Sequence, residues 1–431
     1  MRWIVNVMIL LSLFMLCVPA AHAGEGSSPV RVIVAFHGEP DLGIFSRYGG
    51  RAVLELHSSP AVAGVLPAEV LAKVQALDEV DYVVEDGVVK ADGAPSPSMP
   101  ASGKGAVALV VPPEELTWGI ARIKAPAAWG LSRGFGVRVA VLDTGIENTH
   151  PDFRGYTFPY ASRVVLGPSF VEGVTTSLDD HNHGTHVAGI IGASLDDAGV
   201  AGVAPYCTPV AVKVLDANGD GQWSWIIAGI DWAVANNCQV INMSLGSQGG
   251  PWVQAIQAAC DQAVAAGVVV VAAAGNSGDT SNWPEFPGAV PSVVCVAATD
   301  EFDQRASFSN YGGQVDIAAP GVNIWSTVRV SRGSYASWDG TSMATPHVAG
   351  TAALMIAGGR YGDRNANGHI NDEVIASLAR TADDINAPTL PGRDDYLGNG
   401  LVDSREATFR ILFTPRLHRL EVDVMDESLS P

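Results

Sequence analysis

The sequence predicts an α/β fold: a three-layer, doubly wound and mostly parallel sheet, preceded by a small α+β unit. Near-continuous apolar runs rich in valine recur after residue 116, among them VRVAVLD, VAVKVLD, VINMSLG, VVVVAAAGN and SVVCVAATD. Such runs are typical of strands buried on both faces of a parallel sheet. Stretches with helical spacing, such as WSWIIAGIDWAVANN and WVQAIQAACDQAVAAG, lie between them. This alternation indicates the doubly wound class, in which sites form beyond the carboxyl ends of the strands.

Length and composition limit the possible functions. A chain of 431 residues with 47% hydrophobic residues can form one large domain and a small one. Its formal net charge of −20 argues against nucleic acid and anionic membrane as partners. Most of the 45 acidic residues are expected to form a well-solvated surface. We expect a soluble, exported monomer.

Residues 1–23 have the pattern of a secretory signal. Arg2 supplies the positive start, and residues 4–18 form an apolar run that is too short and wrongly flanked for a typical membrane span. The AHA sequence at 21–23 is a small-x-small cleavage site. The protein is therefore expected to be secreted, to begin at Gly24 and to have no membrane attachment after signal removal. An uncleaved anchor is the alternative.

Four cysteines remain after removal of the signal, and an oxidising destination would permit two disulfides. They are Cys207, Cys238, Cys260 and Cys295. The sequence does not choose among their three possible pairings. Because all four lie in or beside apolar segments, four buried free thiols are an equally weighted alternative.

The small N-terminal unit covers residues 24–92. VRVIVAF, RAVLELH and VDYVVED have strand patterns, and residues 67–77 have helical spacing with proline at the start. Residues 93–113 are rich in proline, serine and glycine, which is typical of a flexible linker that proteases can reach. Residues 408–431 carry strand-like FRILF and LEVDV runs, to which the sequence assigns no role.

Three motifs supply an acid, an imidazole and a hydroxyl, which together can activate an alcohol as a nucleophile. Asp143 ends the apolar run in VAVLDTG, His183 lies in HNHGTHVAG, and Ser342 lies in GTSMATPHVAG. A metal site is the rival interpretation, since His183 and His186 would share a helix face. The glutamate of a zinc-protease helix is absent, however, and glycine and threonine stand in its place.

With their flanking residues, these motifs resemble those of the subtilisin-like serine proteases (subtilases, peptidase family S8) over residues 114–407. The chain order Asp, His, Ser is that of the subtilisin triad. The resemblance implies a serine endopeptidase that acts on proteins and peptides. It selects His183 as the base and leaves His186 and His347 as structural histidines. It also makes residues 24–92 an inhibitor-like propeptide of ferredoxin-like fold, which blocks the site until a maturation cleavage within 93–113.

The resemblance further implies an oxyanion hole and a substrate cleft. Asn276, which ends VVVVAAAGN, matches the side-chain donor of the oxyanion hole. The loop at 216–225 matches the edge that pairs with the substrate backbone as an added strand. The residues matched to the walls of the primary pocket and to this edge are Ser244, Leu245, Gly246, Ala273, Ala274, Gly275, Gly219, Asp220 and Gly221. Trp223, in the same loop, is expected to line the outer pocket of the cleft.

Glu285 precedes a Phe-Pro-Gly sequence that matches the floor of the primary pocket. An inward carboxylate there would favour basic substrate side chains. An orientation toward solvent, which we slightly favour from the sequence, would leave a broad apolar pocket.

Structural Ca²⁺ is the cofactor that the resemblance implies, because hard oxygen ligands suit this ion. Residues matched to the first site are Asp152 and Asp196, with the carbonyls of Ala198 and Val200 and a contribution from Glu114. A second candidate is DRNANGHINDE, in which Asp363, Asn365 and Asn367 stand at loop positions 1, 3 and 5. Position 12, where a glutamate is expected, is Val374, so an exposed polar turn is the alternative.

Two other classes of function compete with a peptidase. A non-catalytic binding protein could retain the fold, but no matched catalytic position is substituted. An esterase of the α/β-hydrolase type would carry a G-x-S-x-G elbow, which does not surround Ser342.

Overall fold

The structure is a computed structural model that describes residues 28–95, 114–155, 161–278 and 283–409. The predicted signal, most of the predicted linker and residues 410–431 lie outside the described residues. Within those ranges, no helix is both long and apolar enough to cross a bilayer.

The small unit folds around a four-stranded antiparallel sheet in the order β2-β3-β1-β4. Its elements are β1 Pro29–Phe36, α1 Gly43–Arg47, β2 Arg51–Leu56, β3 Ala61–Pro67, a 3₁₀ turn Ala68–Val70, α2 Leu71–Gln75 and β4 Val80–Glu85. Side chains alternate along β1 with the period of two expected for a strand. Val32 and Val34 pack inside the small unit, whereas Ile33 and Ala35 join a core shared with the large domain.

Three strands of this unit were predicted, and one strand and one helix were not. The strand β3 was missed because its sequence, AVAGVLP, is short of large side chains. Gly64 within it leaves room for the Phe45 ring, since a Cβ at this position would lie 2.6 Å from the ring's Cδ1. The helix predicted over 67–77 is shorter than expected, because Pro67 is the last residue of β3.

The large domain is built on a seven-stranded parallel sheet in the order β15-β14-β13-β11-β7-β9-β8. In the sequence, the short strands β5 Val88–Ala91 and β6 Ala94–Pro95 follow the small unit and precede this domain. The strands of the large domain are β7 Arg138–Asp143, β8 Val165–Ser169, β9 Thr208–Lys213, β10 Asp220–Gln222, β11 Val240–Met243, β12 Leu245–Gly246, β13 Val269–Ala273, β14 Val294–Thr299, β15 Ile317–Pro320, β16 Ile324–Thr327 and β17 Tyr335–Asp339. The predicted α/β class is confirmed, and its central strands are the predicted valine-rich runs.

Helices cover both faces of the sheet. They are α3 Trp118–Arg122, α4 Ala125–Ala128, α5 His183–Gly192, α6 Trp223–Ala235, α7 Val253–Ala265, α8 Thr341–Ala357, α9 Asn371–Thr381 and α10 Ser404–Phe409, with 3₁₀ turns at Pro151–Phe153 and Val330–Arg332. One apolar core joins α5, α8 and α9 to one face of the sheet. A second core joins α6 and α7 to the other face and includes side chains of the small unit.

Two strands of the large sheet were not predicted. The strands β8 and β15 have only five and four residues, and prolines interrupt their apolar character. At the C-terminus, residues 408 and 409, which we had assigned to a tail, complete α10.

Candidate active site

Asp143 and His183 form a buried acid–imidazole pair. Asp143 is the last residue of β7, and His183 is the first residue of α5. Both are fully buried, and the Nδ1 of His183 lies 2.8 and 2.9 Å from the two carboxylate oxygens of Asp143. Gly184 allows this approach, because a Cβ there would lie only 3.1 Å from an Asp143 oxygen. The carboxylate can therefore orient the imidazole so that Nε2 faces the cleft.

Ser342 lies in the first turn of α8, opposite the end of β11. In this conformer its hydroxyl donates to the carbonyl oxygen of Ser244, at 2.9 Å. Nε2 of His183 has no hydrogen-bond partner in the part of the chain that the structure describes. The hydroxyl must therefore leave Ser244 before it can give its proton to His183.

The cleft is occupied by the chain's own residues. The strand β5 lies between β10 and β12 and pairs antiparallel with both, with Lys90 opposite Asp220 and Ala91 opposite Leu245. Beyond it, β6 pairs with β17. The backbone N–H of Ala91 donates to Gly219, at 2.9 Å, and strand addition of this kind is how extended peptides bind to a sheet edge.

The carbonyl of Asp92 lies between two hydrogen-bond donors. The Asn276 amide donates to this oxygen at 2.6 Å, and the backbone N–H of Ser342 donates to it at 3.2 Å. Asn276 is held in place by its Oδ1, which accepts bonds from the N–H and hydroxyl of Thr341, at 2.9 and 3.0 Å. This arrangement can stabilise negative charge on the Asp92 oxygen.

Gly93 follows Asp92 and lies beside the imidazole. A Cβ on Gly93 would stand 3.1 Å from the His183 Nε2 and 3.1 Å from the Met343 sulfur. The Asp92–Gly93 peptide bond is thus flanked by the Asn276 amide and the Ser342 N–H on its carbonyl side and by the imidazole on its amine side.

Both predicted walls of the primary pocket adjoin acidic side chains: a Cβ on Gly246 would approach Asp92 and Glu285, and one on Gly275 would lie 2.8 Å from Glu285. Ser244, Leu245 and Ala273 are fully buried, and the Asp92 N–H donates to the Ser244 carbonyl at 3.3 Å. Ala274 is also buried, and its carbonyl accepts the Glu285 N–H at 2.9 Å. Gly275 has a φ of +100°, which favours glycine.

Glu285 points into this pocket, so the slight preference for solvent was wrong. Its side chain is 8% exposed. A Cβ on Gly246 would lie 2.8 Å from one Glu285 oxygen and 2.8 Å from one Asp92 oxygen, which places both carboxyl groups at the same end of the pocket. Burial raises the pKa of Glu285, and burial together with the neighbouring Glu285 charge raises the pKa of Asp92 well above its ordinary value.

The predicted edge loop contacts the inserted strand on its other side. A Cβ on Gly221 would lie 3.2 Å from Val89, and one on Gly219 would lie 3.4 Å from Ala91. Asp220 forms an exposed ion pair with Lys90 at 3.1 Å. Gly219 has a φ of +80°, which favours glycine, and a Cβ on Gly221 would lie 2.5 Å from the Val214 carbonyl oxygen, so both glycines are required by the loop itself.

Trp223 begins α6 and is fully buried rather than open to the cleft. Its ring stacks on Trp252 with a centroid distance of 4.2 Å, and Gly87 packs against both rings. Sequence reasoning missed Trp252, Val89 and Asp92 as parts of the site. The apolar alternation of GVVKAD could have indicated a strand there, but the residues after 90 carried the composition of a linker.

Two further histidines near the site, His186 and His347, are fully buried. Burial lowers the pKa of His186 to about 3, and its Nε2 lies 3.1 Å from the carbonyls of both Ile324 and Ala336. Burial lowers the pKa of His347 to about 4. Both imidazoles are therefore neutral at ordinary pH, and neither contacts the reacting groups.

The residues of the first candidate calcium site lie close together. Asp152 accepts the N–H of Val200 at 2.9 Å and the hydroxyl of Tyr335 at 2.7 Å. Burial, with Asp196 and Glu114 as negative neighbours, raises the pKa of Asp152 to about 7. Among the described residues, no three His, Cys, Asp or Glu side chains already stand in metal-binding geometry. The mutual repulsion of the three carboxylates nevertheless fits a site for a hard cation.

The second candidate forms a tight polar loop. Asp363 accepts the backbone N–H groups of Asn367 and Gly368, at 3.1 and 2.8 Å, and Asn365 accepts the Asn367 N–H at 3.1 Å. The residue at position 12, Val374, is fully buried in the apolar core and offers no ligand.

The four cysteines are buried free thiols, which decides between the two alternatives left open by the sequence. Burial raises the pKa of Cys207 to about 12 and also raises the pKa of the others. They are therefore unreactive packing residues.

Known proteins resemble this chain over most of its length. A sequence model of the subtilase family matches residues 134–400. Subtilisin E of Bacillus subtilis (strain 168) is 37% identical over 399 residues, covering 90% of this chain and 93% of that protein. Thermitase of Thermoactinomyces vulgaris is 40% identical over 291 residues, covering 67% and 95%. Subtilisin BL of Lederbergia lenta is 44% identical over 297 residues, covering 68% and 99%.

Proposed function

The chain belongs to the subtilase family and is a subtilisin-like serine endopeptidase, and we propose that Asp143, His183 and Ser342 are its catalytic triad. We propose further that it is a zymogen, in which residues 24–92 act as propeptide and the Asp92–Gly93 bond is its first substrate. The observation that carries this proposal is the Asp92 carbonyl, which accepts bonds from Asn276 and the Ser342 N–H while His183 faces Gly93.

The first half of the reaction cleaves the peptide bond. The Ser342 hydroxyl turns from Ser244 to His183, gives its proton to Nε2, and attacks the Asp92 carbonyl carbon. Asn276 and the Ser342 N–H stabilise the oxyanion on an oxygen that they already contact. Asp143 stabilises the imidazolium through Nδ1–H. The proton then passes to the Gly93 nitrogen, the C–N bond breaks, and Asp92 remains as an ester on Ser342.

The second half releases the acyl group. Water enters where the Gly93 amine has left, gives a proton to His183 and attacks the ester carbonyl. The ester bond breaks, the proton returns to the Ser342 oxygen, and Asp92 acquires a free carboxylate. External proteins and peptides would follow the same steps after the propeptide has left, pairing with β10 and β12 as β5 does.

Asn276 and the pocket residues contribute binding and electrostatics. We propose that Ser244, Leu245, Gly246, Ala273, Ala274 and Gly275 form the walls of the primary pocket, with Glu285 at its closed end. Gly219, Asp220 and Gly221 would bind the substrate backbone. Trp223 would support the outer subsite through its stack with Trp252, rather than contact substrate itself.

We also propose a structural Ca²⁺ and export from the cell. Asp152, Asp196 and Glu114 would hold the ion, with the carbonyls of Ala198 and Val200, and its charge would offset the repulsion among the three carboxylates. Asp363, Asn365 and Asn367 are proposed as a second site with fewer charged ligands. Export is proposed from the signal pattern at residues 1–23.

Turnover of a peptide amide tests the proposed function. The processed wild-type chain should hydrolyse a peptide amide, and Ser342→Ala and His183→Ala should each lower turnover by several orders of magnitude. Circular dichroism of the variants provides the control for folding. A Ser342→Ala chain that still hydrolyses the amide at the wild-type rate would refute the assignment.

A further inference from the structure

The primary pocket holds two acidic side chains that belong to different functional parts of the chain. Asp92 comes from the propeptide and Glu285 from the pocket of the catalytic domain. We propose that this acid pair is a pH-dependent latch, which keeps the propeptide in the cleft in acid and releases it as the pH rises. The inference rests on the proposed function, because it takes residues 24–92 as the propeptide and Asp92 as its last residue.

Few hydrogen bonds offset the burial of these two carboxyl groups. Asp92 and Glu285 are 9% and 8% exposed. The Asp92 Oδ2 accepts no hydrogen bond from any described residue, and Glu285 receives one, from the Gln248 amide at 3.2 Å. A buried carboxylate that lacks hydrogen-bond donors is unfavourable, so the docked pair favours at least one protonated carboxyl group.

Among the described residues, no cationic side chain forms an ion pair with Asp92 or Glu285. From the β12 side the facing polar group is the neutral Gln248 amide, and from the loop after β13 it is the Asn276 amide on the Asp92 carbonyl. His183 faces Gly93, on the other side of the scissile bond. Lys90 is 70% exposed and pairs with Asp220 at 3.1 Å.

A further cation lies nearby but is directed elsewhere. The Arg305 guanidinium donates to the carbonyls of Ala306, Ser307 and Ser309 and stacks over Tyr311. After cleavage, Asp92 also gains an α-carboxylate at the oxyanion donors, which adds a third negative group. The charge balance therefore opposes docking once the two side chains ionise.

The direction of the pH effect follows from proton linkage. In the docked state burial raises the pKa of both carboxyl groups, and the Glu285 charge raises that of Asp92 further. Once released, both return to ordinary values of about 3.9 and 4.3. Between the ordinary and raised pKa values the docked state binds more protons, so docking weakens as the pH rises. For each proton that the docked state binds in excess of the released state, the equilibrium constant for docking falls about tenfold per pH unit.

The test uses the full chain with Ser342→Ala, so that docking is measured without cleavage. Hydrogen exchange of the Ala91 and Asp92 amides, which bond to Gly219 and Ser244, reports opening of the cleft. We expect their protection factors, corrected for intrinsic exchange, to fall between pH 5 and pH 8 by up to about tenfold per unit. Adding Glu285→Gln, or Asp92→Asn, should remove most of this slope.

Glu172→Gln provides the matched control. Glu172 pairs with Arg31 and Arg51 of the propeptide at 3.1 and 2.8 Å, outside the pocket, and Arg51 lowers its pKa. Loss of the Glu172 carboxylate should lower the protection factors equally at every pH and leave their dependence on pH unchanged. Protection that does not change with pH, or an unchanged slope in Glu285→Gln, would overturn the latch. A wild-type chain that never cleaves after Asp92, with the slope present, would instead refute the proposed zymogen and show that the acid pair controls docking of the uncleaved N-terminal unit.

Discussion

Asp86 provides a quantitative test of how the proposed propeptide is held on the proposed catalytic domain. It follows β4, its carboxylate is fully buried, and it caps the N-terminus of α6. One oxygen accepts the Ser224 N–H at 2.9 Å, and the other accepts the Ser224 hydroxyl at 2.7 Å. Arg31 lies at a longer distance, 3.4 Å. We therefore expect Asp86→Ala to weaken propeptide binding strongly.

The magnitude follows from the two bonds to Ser224. Hydrogen bonds to a charged group contribute about 1.5–3 kcal/mol each. Burial of the carboxylate opposes them and raises the pKa of Asp86. We take the net loss as about 3 kcal/mol, which corresponds to roughly 100-fold weaker binding. Asp86→Asn keeps one acceptor for Ser224 and should lose about tenfold.

Dilution of the processed complex measures this loss. Peptidase activity toward a peptide amide appears when the propeptide dissociates, so the half-activation concentration approximates the dissociation constant. This concentration should be roughly 100-fold higher for Asp86→Ala than for wild type. Glu85→Ala is the matched control, since it removes the neighbouring exposed carboxylate and should dissociate like wild type. Equal midpoints for Asp86→Ala and wild type would refute the reasoning.

Three further predictions concern catalysis, specificity and metal. Asn276→Ala should lower kcat by about 10²–10³, the loss known for the corresponding amide of subtilisin, with little change in KM; an effect confined to KM would contradict its role. In the mature enzyme, Glu285→Gln should lower kcat/KM several-fold more for a peptide with Arg before the scissile bond than for one with Phe. The difference should be larger at low salt, where charges are less screened. Equal changes for both peptides would exclude Glu285 as a specificity residue. Excess chelator should lower the Tm, and Ca²⁺ should restore it, because a ligand of the folded state stabilises it by mass action; an unchanged melting curve, with no calcium found by metal analysis, would exclude the site.

The sequence was sufficient for the central sheet and for the triad motifs. Buried parallel strands leave long valine runs, and the Asp143, His183 and Ser342 motifs are local. Short strands such as Ile317–Pro320 leave too little pattern to be found.

Features that depend on packing between distant segments could not be predicted. Whether Glu285 faces solvent or pocket depends on how its loop packs against Gly246 and Gly275, which are distant in sequence. The position of Asp92 in the cleft depends on docking of the whole small unit, and its local sequence resembles a linker. The orientation of Trp223 is set by its stack with Trp252.

The N-terminus of the first processing product tests the central claim most directly. The full chain should be expressed in a protease-free host, as wild type and as Ser342→Ala, and analysed by intact mass and N-terminal sequencing. The account predicts that wild type first yields a product beginning at Gly93 and that Ser342→Ala remains uncleaved. A first cleavage elsewhere in the wild type, or equal processing of Ser342→Ala, would contradict it.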